Sequence, residues 1–198
     1  MEHWNCAYAG RGVAGVSWYE PIPRVSWEII SSLEVPLDAP VVDVGGGASG
    51  LAEVLVRNGY SDVTVLDVSD VAVREVEARM SGALEVLRQD VLSWQPPRRY
   101  LLWHDRAVFH FFVEAETRQA YLRVLEASLR PGAFVVLGVF APDGPAHCSG
   151  LPVQRYDRDD LQRLLGERYA PRLARRETHV TPRGAEQPFT WVAFQRRI

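Results

Sequence analysis

Between residues 41 and 140 the chain alternates two kinds of apolar spacing. Short, mostly apolar runs stand at Val41–Val44, Val63–Leu66, Leu84–Leu87, Tyr100–Trp103 and Ala133–Phe140. Runs of about four to eight residues rich in β-branched and aromatic side chains are what strands covered on both faces look like. Between the runs, apolar residues recur three and four apart: Leu51, Val54 and Leu55; then Val73, Val76 and Met80; then Ala115, Tyr121, Leu122, Leu125 and Leu129. That spacing places them along one side of a helix. Ser69 is the predicted cap of the second of these helices, Asn58-Gly59 ends the first, and Pro131-Gly132 turns the chain into the fifth strand. An earlier helix is predicted from Ser26 to Leu33, with Trp27, Ile30 and Leu33 inward.

The last third reads differently. A loop from Ala141 to Val153 leads to a short helix, Arg158 to Leu165. Two extended segments follow, Arg175–Thr181 and Phe189–Arg196, joined by Pro182-Arg183-Gly184. Two strands across a tight turn pair antiparallel, whereas strands separated by helices pair parallel. The expected fold class is therefore α/β: a mostly parallel seven-stranded sheet closed by an antiparallel C-terminal hairpin, with helices on both faces. Residues 1–198 read as one domain. Within it, residues 1–25 carry Trp18, Tyr19, Pro21 and Pro23 and are expected to form an irregular arm, a possible lid.

Charge and composition narrow the functional classes. The formal net charge is −3, and all 22 basic residues are arginine. No basic field suits nucleic acid or an anionic membrane. No apolar run approaches the ~20 residues of a membrane span. The first residues lack the pattern of a secretory leader, so a cytoplasmic location is expected. Cys6 and Cys148 stand alone, which predicts neither a disulfide framework nor a metal site. Nothing in the pattern specifies an oligomeric state.

The chemistry concentrates where the first strand ends. Val41-Val42-Asp43-Val44 runs into Gly45, Gly46, Gly47 and Gly50, and a helix begins at once. Strand, glycine turn and helix bring the backbone close to a nucleotide-like ligand. Gly45-x-Gly47-x-x-Gly50 satisfies the dinucleotide fingerprint, with Asp67 placed to bind a ribose, so an NAD-dependent oxidoreductase is one reading. In that reading a pyrophosphate faces the helix N-terminus, and Asp43 would set a negative charge beside it. S-adenosylmethionine (SAM) has an amino group and a sulfonium but no phosphate, and Asp43 favours it.

Asp43-x-Gly45-x-Gly47 resembles the first motif of the class I SAM-dependent methyltransferases. Asp67 is similar to their acidic residue after the second strand, Asp90-Val91 to the acidic position after the third, and Leu129-Arg130-Pro131-Gly132 to their turn before strand five. The resemblance covers about residues 26–196, and Ala48-Ser49 is one departure from the glycine pattern. It implies a Rossmann-like methyltransferase fold. It also implies cofactor contacts from Asp43, Gly45, Gly46, Gly47 and His104, from Asp67 to the ribose hydroxyls, and from Asp90 to the adenine amine. Val68 and Val91 would sandwich the adenine ring. Trp18 in the arm would shield the sulfonium.

The stretch Trp103–Phe111 resembles the segment after strand four in a group that includes lysine methyltransferases acting on elongation factor 1A and citrate synthase, and in bacterial methyltransferases of that subgroup. It makes Asp105 and His110 candidate catalytic residues, with Tyr19 of the arm a third. Cys148 has no basic partner at short range and is not expected to act as a nucleophile. The loop 141–153 is a candidate substrate lid. The expected activity is methyl transfer from SAM to a small-molecule nucleophile, with a protein side chain as the alternative acceptor. A non-catalytic SAM-fold binding subunit is the rival of another class.

Overall fold

The computed structural model describes residues 2–12, 15–20, 22–47 and 49–198; Pro21 of the arm and Ala48 of the glycine turn lie outside them. Seven strands form one sheet: β1 (Val41–Val44), β2 (Val63–Asp67), β3 (Glu85–Arg88), β4 (Tyr100–Arg106), β5 (Leu129–Phe140), β8 (Tyr169–Val180) and β9 (Glu186–Arg196). A separate two-stranded ribbon comprises β6 (His147–Cys148) and β7 (Leu151–Pro152). The order across the large sheet is β3-β2-β1-β4-β5-β9-β8. β1 to β5 are parallel, and β9 pairs antiparallel with both β5 and β8. Strand order reverses between β1 and β4. In an open α/β sheet that switch point opens a crevice at the carboxyl ends of the strands.

Each strand alternates between two cores. Val41 of β1 joins Ile29 and Ile30 of α2 (Arg24–Ser32) and Leu51 and Leu55 of α3 (Leu51–Arg57). Val42 and Val44 face the other side, with Tyr121 and Leu125 of α5 (Ala115–Ser128) and Leu161 of α6 (Arg158–Leu165). Ser69 caps α4 (Asp70–Met80), its side chain accepting from the Ala72 N–H, and Asp157 with Asp160 makes a capping box on α6.

Four local expectations are corrected. The arm begins as a helix, α1 (Glu2–Arg11), and not as irregular chain. Its apolar stripe is little more than Trp4 and Tyr8, too short to signal a helix, but Tyr8 and Val16 bury against Ala72 of α4. Asn5 adds a polar latch: its Oδ1 accepts from Ser69 Oγ at 2.8 Å and its Nδ2 donates to Asp70 at 3.3 Å. α2 starts two residues earlier than expected and buries Val25, Ser26, Ile29 and Ile30, while Trp27 is only half-buried. Pro131-Gly132 bulges within β5 and does not precede it. Tyr100 pairs with Leu129, but Leu102 already pairs with Phe134, and Gly132 takes φ +79°. β8 begins at Tyr169, six residues before the expected start, because it is an edge strand whose half-buried positions include the charged Arg175 and Glu177, which hides its alternation. Among the described residues, no helix is long and apolar enough to cross a membrane.

Candidate methyl-donor site

At the switch point lies a cavity of about 210 Å³. Its floor is made of strand ends. Gly45 leaves β1 at φ +68°, donates its N–H to Leu66 O at 2.7 Å, and has no room for a Cβ, which would overlap Val108 Cγ2. Gly46 lies directly over the Asp43 carboxylate, so a side chain there is excluded as well. Gly47 donates its N–H to Asp67 Oδ2 at 3.1 Å, while Asp67 Oδ1 accepts from the Ser69 N–H at 2.8 Å. One carboxylate at the end of β2 thus ties the glycine turn to the start of α4. Burial pushes this carboxyl up to about 6; the backbone donors Ser69, Gly47 and Val68 pull the other way, and the charge of Asp43 adds to the rise. Asp67 and Val68 line the cavity together with Gln89, Asp90, Val91 and Leu92. Asp90 is exposed and accepts the Leu92 N–H at 2.9 Å, which shapes the turn that brings Val91 inward.

Asp43 and His104 are placed beneath this floor and not on the cavity wall. They are paired in register on β1 and β4 and face α2. His104 Nδ1 lies 2.7 Å from Asp43 Oδ1, and Nε2 lies 3.0 Å from Ser26 Oγ. All three residues are at most 2 % exposed. The order carboxylate, imidazole, hydroxyl is that of a hydrolytic triad, but Ser26 does not line the cavity. The trio braces the base of the glycine turn. Asp43 Oδ2 has no hydrogen-bond partner among the described residues and lies under Gly46.

Asp105 and His110 are likewise interior. Asp105 accepts from Tyr121 Oη at 2.6 Å and from the Val108 and Phe109 N–H groups at 2.9 and 3.1 Å. Tyr121 in turn accepts from Trp103 Nε1 at 2.8 Å. Burial raises the Asp105 carboxyl to about 6, against the pull of these donors. Asp105 therefore holds the 3-10 turn Phe109–Phe111 and with it Val108, which lines the cavity beside Gly45. His110 is fully buried between Phe111 and Phe140, at ring separations of 4.5 and 4.7 Å. Burial lowers its pKa to about 3, and Nδ1 accepts the Phe140 N–H at 3.4 Å. Tyr19 packs on the Tyr8–Val16–Ala72 cluster and does not line the cavity.

The roof comes from distant segments. Trp4 and Tyr8 of α1, Trp18 of the arm, Phe111 and Phe112 after β4, and Cys148 of β6 complete the wall with Arg106 and Ala107. Of these, the sequence marks Trp18 as a contact and places Cys148 in a candidate lid, but it does not single out Trp4 or Tyr8. Trp4 and Tyr8 carry the four-residue spacing of a helix face, the one signal that could have found them. Cys148 is buried, which lifts its thiol to about 11. That suits a wall and not a nucleophile.

The polar groups of the floor fit a SAM-type ligand. Two buried carboxylates, Asp43 and Asp67, underlie the turn, a setting hostile to pyrophosphate and suited to a ribose diol and an ammonium. Val68 and Val91 add apolar surface to the same wall. The sheet order and the switch-point cavity are those of a Rossmann-like methyltransferase fold, and the acidic floor suits SAM as the cofactor. Residues 41–132, from β1 to the bulge in β5, match the methyltransferase domain family. A search of curated protein sequences gives no significant match.

Solved structures share the fold across nearly the whole chain. The 1,6-didemethyltoxoflavin-N1-methyltransferase of Burkholderia thailandensis, with 1,6-didemethyltoxoflavin and S-adenosylhomocysteine bound, is 19% identical with TM-score 0.78, covering 100% of this chain and 86% of that one. The N-methyltransferase NodS of Bradyrhizobium japonicum, in complex with S-adenosylhomocysteine, is 15% identical with TM-score 0.73 over 97% and 98%. A structure concerned with converting a disulfide bond into a thioacetal group in echinomycin biosynthesis is 21% identical with TM-score 0.76 over 99% and 92%.

Proposed function

We propose that the protein transfers the methyl group of SAM to a small-molecule nucleophile, with the adenosine held at Asp67, Val68, Asp90 and Val91 and the acceptor under the roof. The observation that carries this reading is Asp67. Its carboxylate sits on the cavity wall, oriented by the Gly47 and Ser69 N–H groups, where it can accept both hydroxyls of a ribose. Asp43, braced by His104, acts through the turn above it, its unpaired Oδ2 contributing negative potential toward an ammonium group. Bound SAM supplies a methyl group already activated by a sulfonium.

The chain's own contribution is position and exclusion of water. Orientation of two reactants is worth about 7–11 kcal/mol, so a dedicated base is not needed. His110 and Tyr19 do not line the cavity, and Asp105 serves as a positioning residue for Val108 and Phe109. The acceptor is therefore one that loses its proton before or after transfer without a side-chain base. A small acceptor is favoured by the roof, which draws α1 and the Trp18 segment over the crevice. The neighbour that acts on 1,6-didemethyltoxoflavin lends the same reading support.

Calorimetric titration tests this. S-adenosylhomocysteine should bind at micromolar concentration and NADH should not. The reverse result would establish the oxidoreductase reading, and equal binding by Asp67→Ala would remove the ribose assignment.

A further inference from the structure

Two side chains of the sheet hold the arm segment that carries Trp18. His179 of β8 sets its Nε2 2.8 Å from the Ser17 carbonyl and its Nδ1 2.9 Å from Glu20 Oε1. Arg106, at the end of β4, donates Nη1 to the Trp18 carbonyl and Nη2 to Glu20 Oε1, both at 2.7 Å. Trp18 lines the cavity, so whatever holds residues 17–20 also sets how the cavity is closed.

The surroundings of His179 call for a proton on each ring nitrogen. A carbonyl oxygen only accepts, and so does an ionised carboxylate. Glu20 is ionised: burial raises its carboxyl, but the His179 contact and the charges of Arg106, His179 and Arg24 bring it below the ordinary value. A neutral imidazole has one N–H and one lone pair. In either tautomer one nitrogen would turn its lone pair on an oxygen at 2.8 or 2.9 Å, with only 4% of the residue exposed to water. The imidazolium donates at both nitrogens, and Glu20 meets its charge. Other charged groups nearby are engaged elsewhere. The Arg106 guanidinium lies over the Phe189 ring at 5.6 Å, and Arg24 of α2 donates to Glu28 at 2.6 Å. Glu177, two positions before His179 on β8, accepts the Trp191 indole N–H at 2.7 Å. β9 adds uncharged neighbours, Gln187 opposite His179 in register and Phe189 edge-on at 6.4 Å.

We infer that His179 is a positioning residue for Trp18: as an imidazolium it latches Ser17 and Glu20 to the edge strand and closes the arm over the cavity, and loss of its proton lets the arm open. The sign follows from the contacts. Closing the arm takes up a proton, so closure is firmest in mildly acid solution and weakens as pH rises. The latch governs entry and exit, while the floor around Asp67 holds the ligand, so opening speeds binding and release together. Only the identity of the enclosed ligand rests on the methyltransferase reading.

The test follows two NMR signals of the full isotope-labelled chain from about pH 6 to about pH 9, the range in which imidazoles titrate. One is the pair of His179 ring nitrogens, assigned through its backbone. The other is exchange of the Tyr19 amide, which donates to the Val16 carbonyl at 3.2 Å. Both ring nitrogens should carry protons while Tyr19 is protected. Corrected for the pH dependence of exchange itself, protection should fall at least about tenfold as the ring loses its second proton, the scale of one hydrogen bond to a charged group. Amides of β1 and β2 should not change. In His179→Gln, Tyr19 should exchange fast at every pH. In stopped flow, S-adenosylhomocysteine should enter and leave the wild type about tenfold faster at the upper pH, with affinity within about threefold, and His179→Gln should show the fast rates throughout. The inference is overturned if the ring is neutral while Tyr19 is protected, or if protection does not follow the ring's charge. A lower Tm in His179→Gln with Tyr19 exchange unchanged would mark a merely structural role and overturn it too. The wild-type titration decides the matter even if that variant does not fold. Failure of S-adenosylhomocysteine to bind would remove the methyltransferase reading, while the ring and amide signals would still decide the latch.

Discussion

The floor of the cavity takes Gly45, Asp67 and Val91 from the ends of three neighbouring parallel strands, whereas the roof gathers Trp4, Tyr8 and Trp18 from the N-terminal segment, Phe111 from beyond β4 and Cys148 from beyond β5. The floor is held by backbone: the Gly45 N–H on Leu66, the Gly47 N–H on Asp67, and the sheet register beneath. Side-chain tethers hold the roof, notably Asn5 on Ser69 and Asp70, Arg106 on the Trp18 carbonyl and Glu20, and His179 on Ser17. A backbone-built floor opens only when the sheet does. A roof held by a few side chains opens on its own. Rigidity is thus placed where a constant ligand is held, and adaptability where entry and selection occur.

The most severe way to break the floor is Gly45→Ala. It imposes a left-handed φ on a residue with a Cβ and drives that Cβ into Val108. Strain and overlap together should cost about 2–4 kcal/mol in denaturant unfolding and abolish S-adenosylhomocysteine binding by calorimetry. Asp67→Ala is next. It should leave a folded chain with about 100-fold weaker binding, as expected for losing two charge-assisted hydrogen bonds of about 1.5 kcal/mol each.

Acid titration examines the same residue more gently. Burial holds the Asp67 carboxyl at about 6, so it is ionised and able to accept hydroxyl donors at neutral pH. Affinity for S-adenosylhomocysteine should be full above about pH 7 and fall by about tenfold per unit between pH 6 and 5. Stability of the ligand-free chain moves the other way. A carboxyl with a raised folded pKa contributes most at low pH, and up to about 2–3 kcal/mol of that contribution is lost as pH rises from about 4 through 6. Melting curves of the wild type and Asp67→Asn across that window should diverge accordingly.

Two milder changes sharpen the contrast. Asn5→Ala removes the latch of α1, worth about 1 kcal/mol. Amides of residues 2–11 should then exchange about fivefold faster while those of β1 and β2 do not change. His110→Phe should have the smallest effect, with turnover within about twofold of wild type. A loss of 100-fold or more would return His110 to the chemistry.

Much of the floor was legible in the sequence because it obeys local rules. A β-branched run, a glycine turn and a helical stripe each carry their own period. Asp67 and Asp90 were identified by their place after strands, and both line the cavity. The same positional logic marked Asp43 and His104 as contacts, yet the structure sets them below the turn. Alternation along a strand tells which residues share a face, but not which face looks toward the ligand. Asp105 and His110 show the same gap. Both stand just where the chain leaves β4, and only the packing of Tyr121, Phe111 and Phe140 around them reveals that they are interior.

Spacing and residue type alone determined the α/β order, the parallel sheet with its antiparallel closing hairpin, and the acidic turn that suits SAM. These follow from hydrophobic period, glycine conformation and charge, all of which act over a few residues. Tertiary structure alone decided that residues 2–11 are a helix, that Ser26, His104 and Asp43 form one buried chain, and that Arg106 ties the Trp18 carbonyl and Glu20 to the end of β4. Each of those depends on contacts between residues about 60 to 100 positions apart. Such contacts leave no period in the sequence, because what selects them is the closing of the sheet.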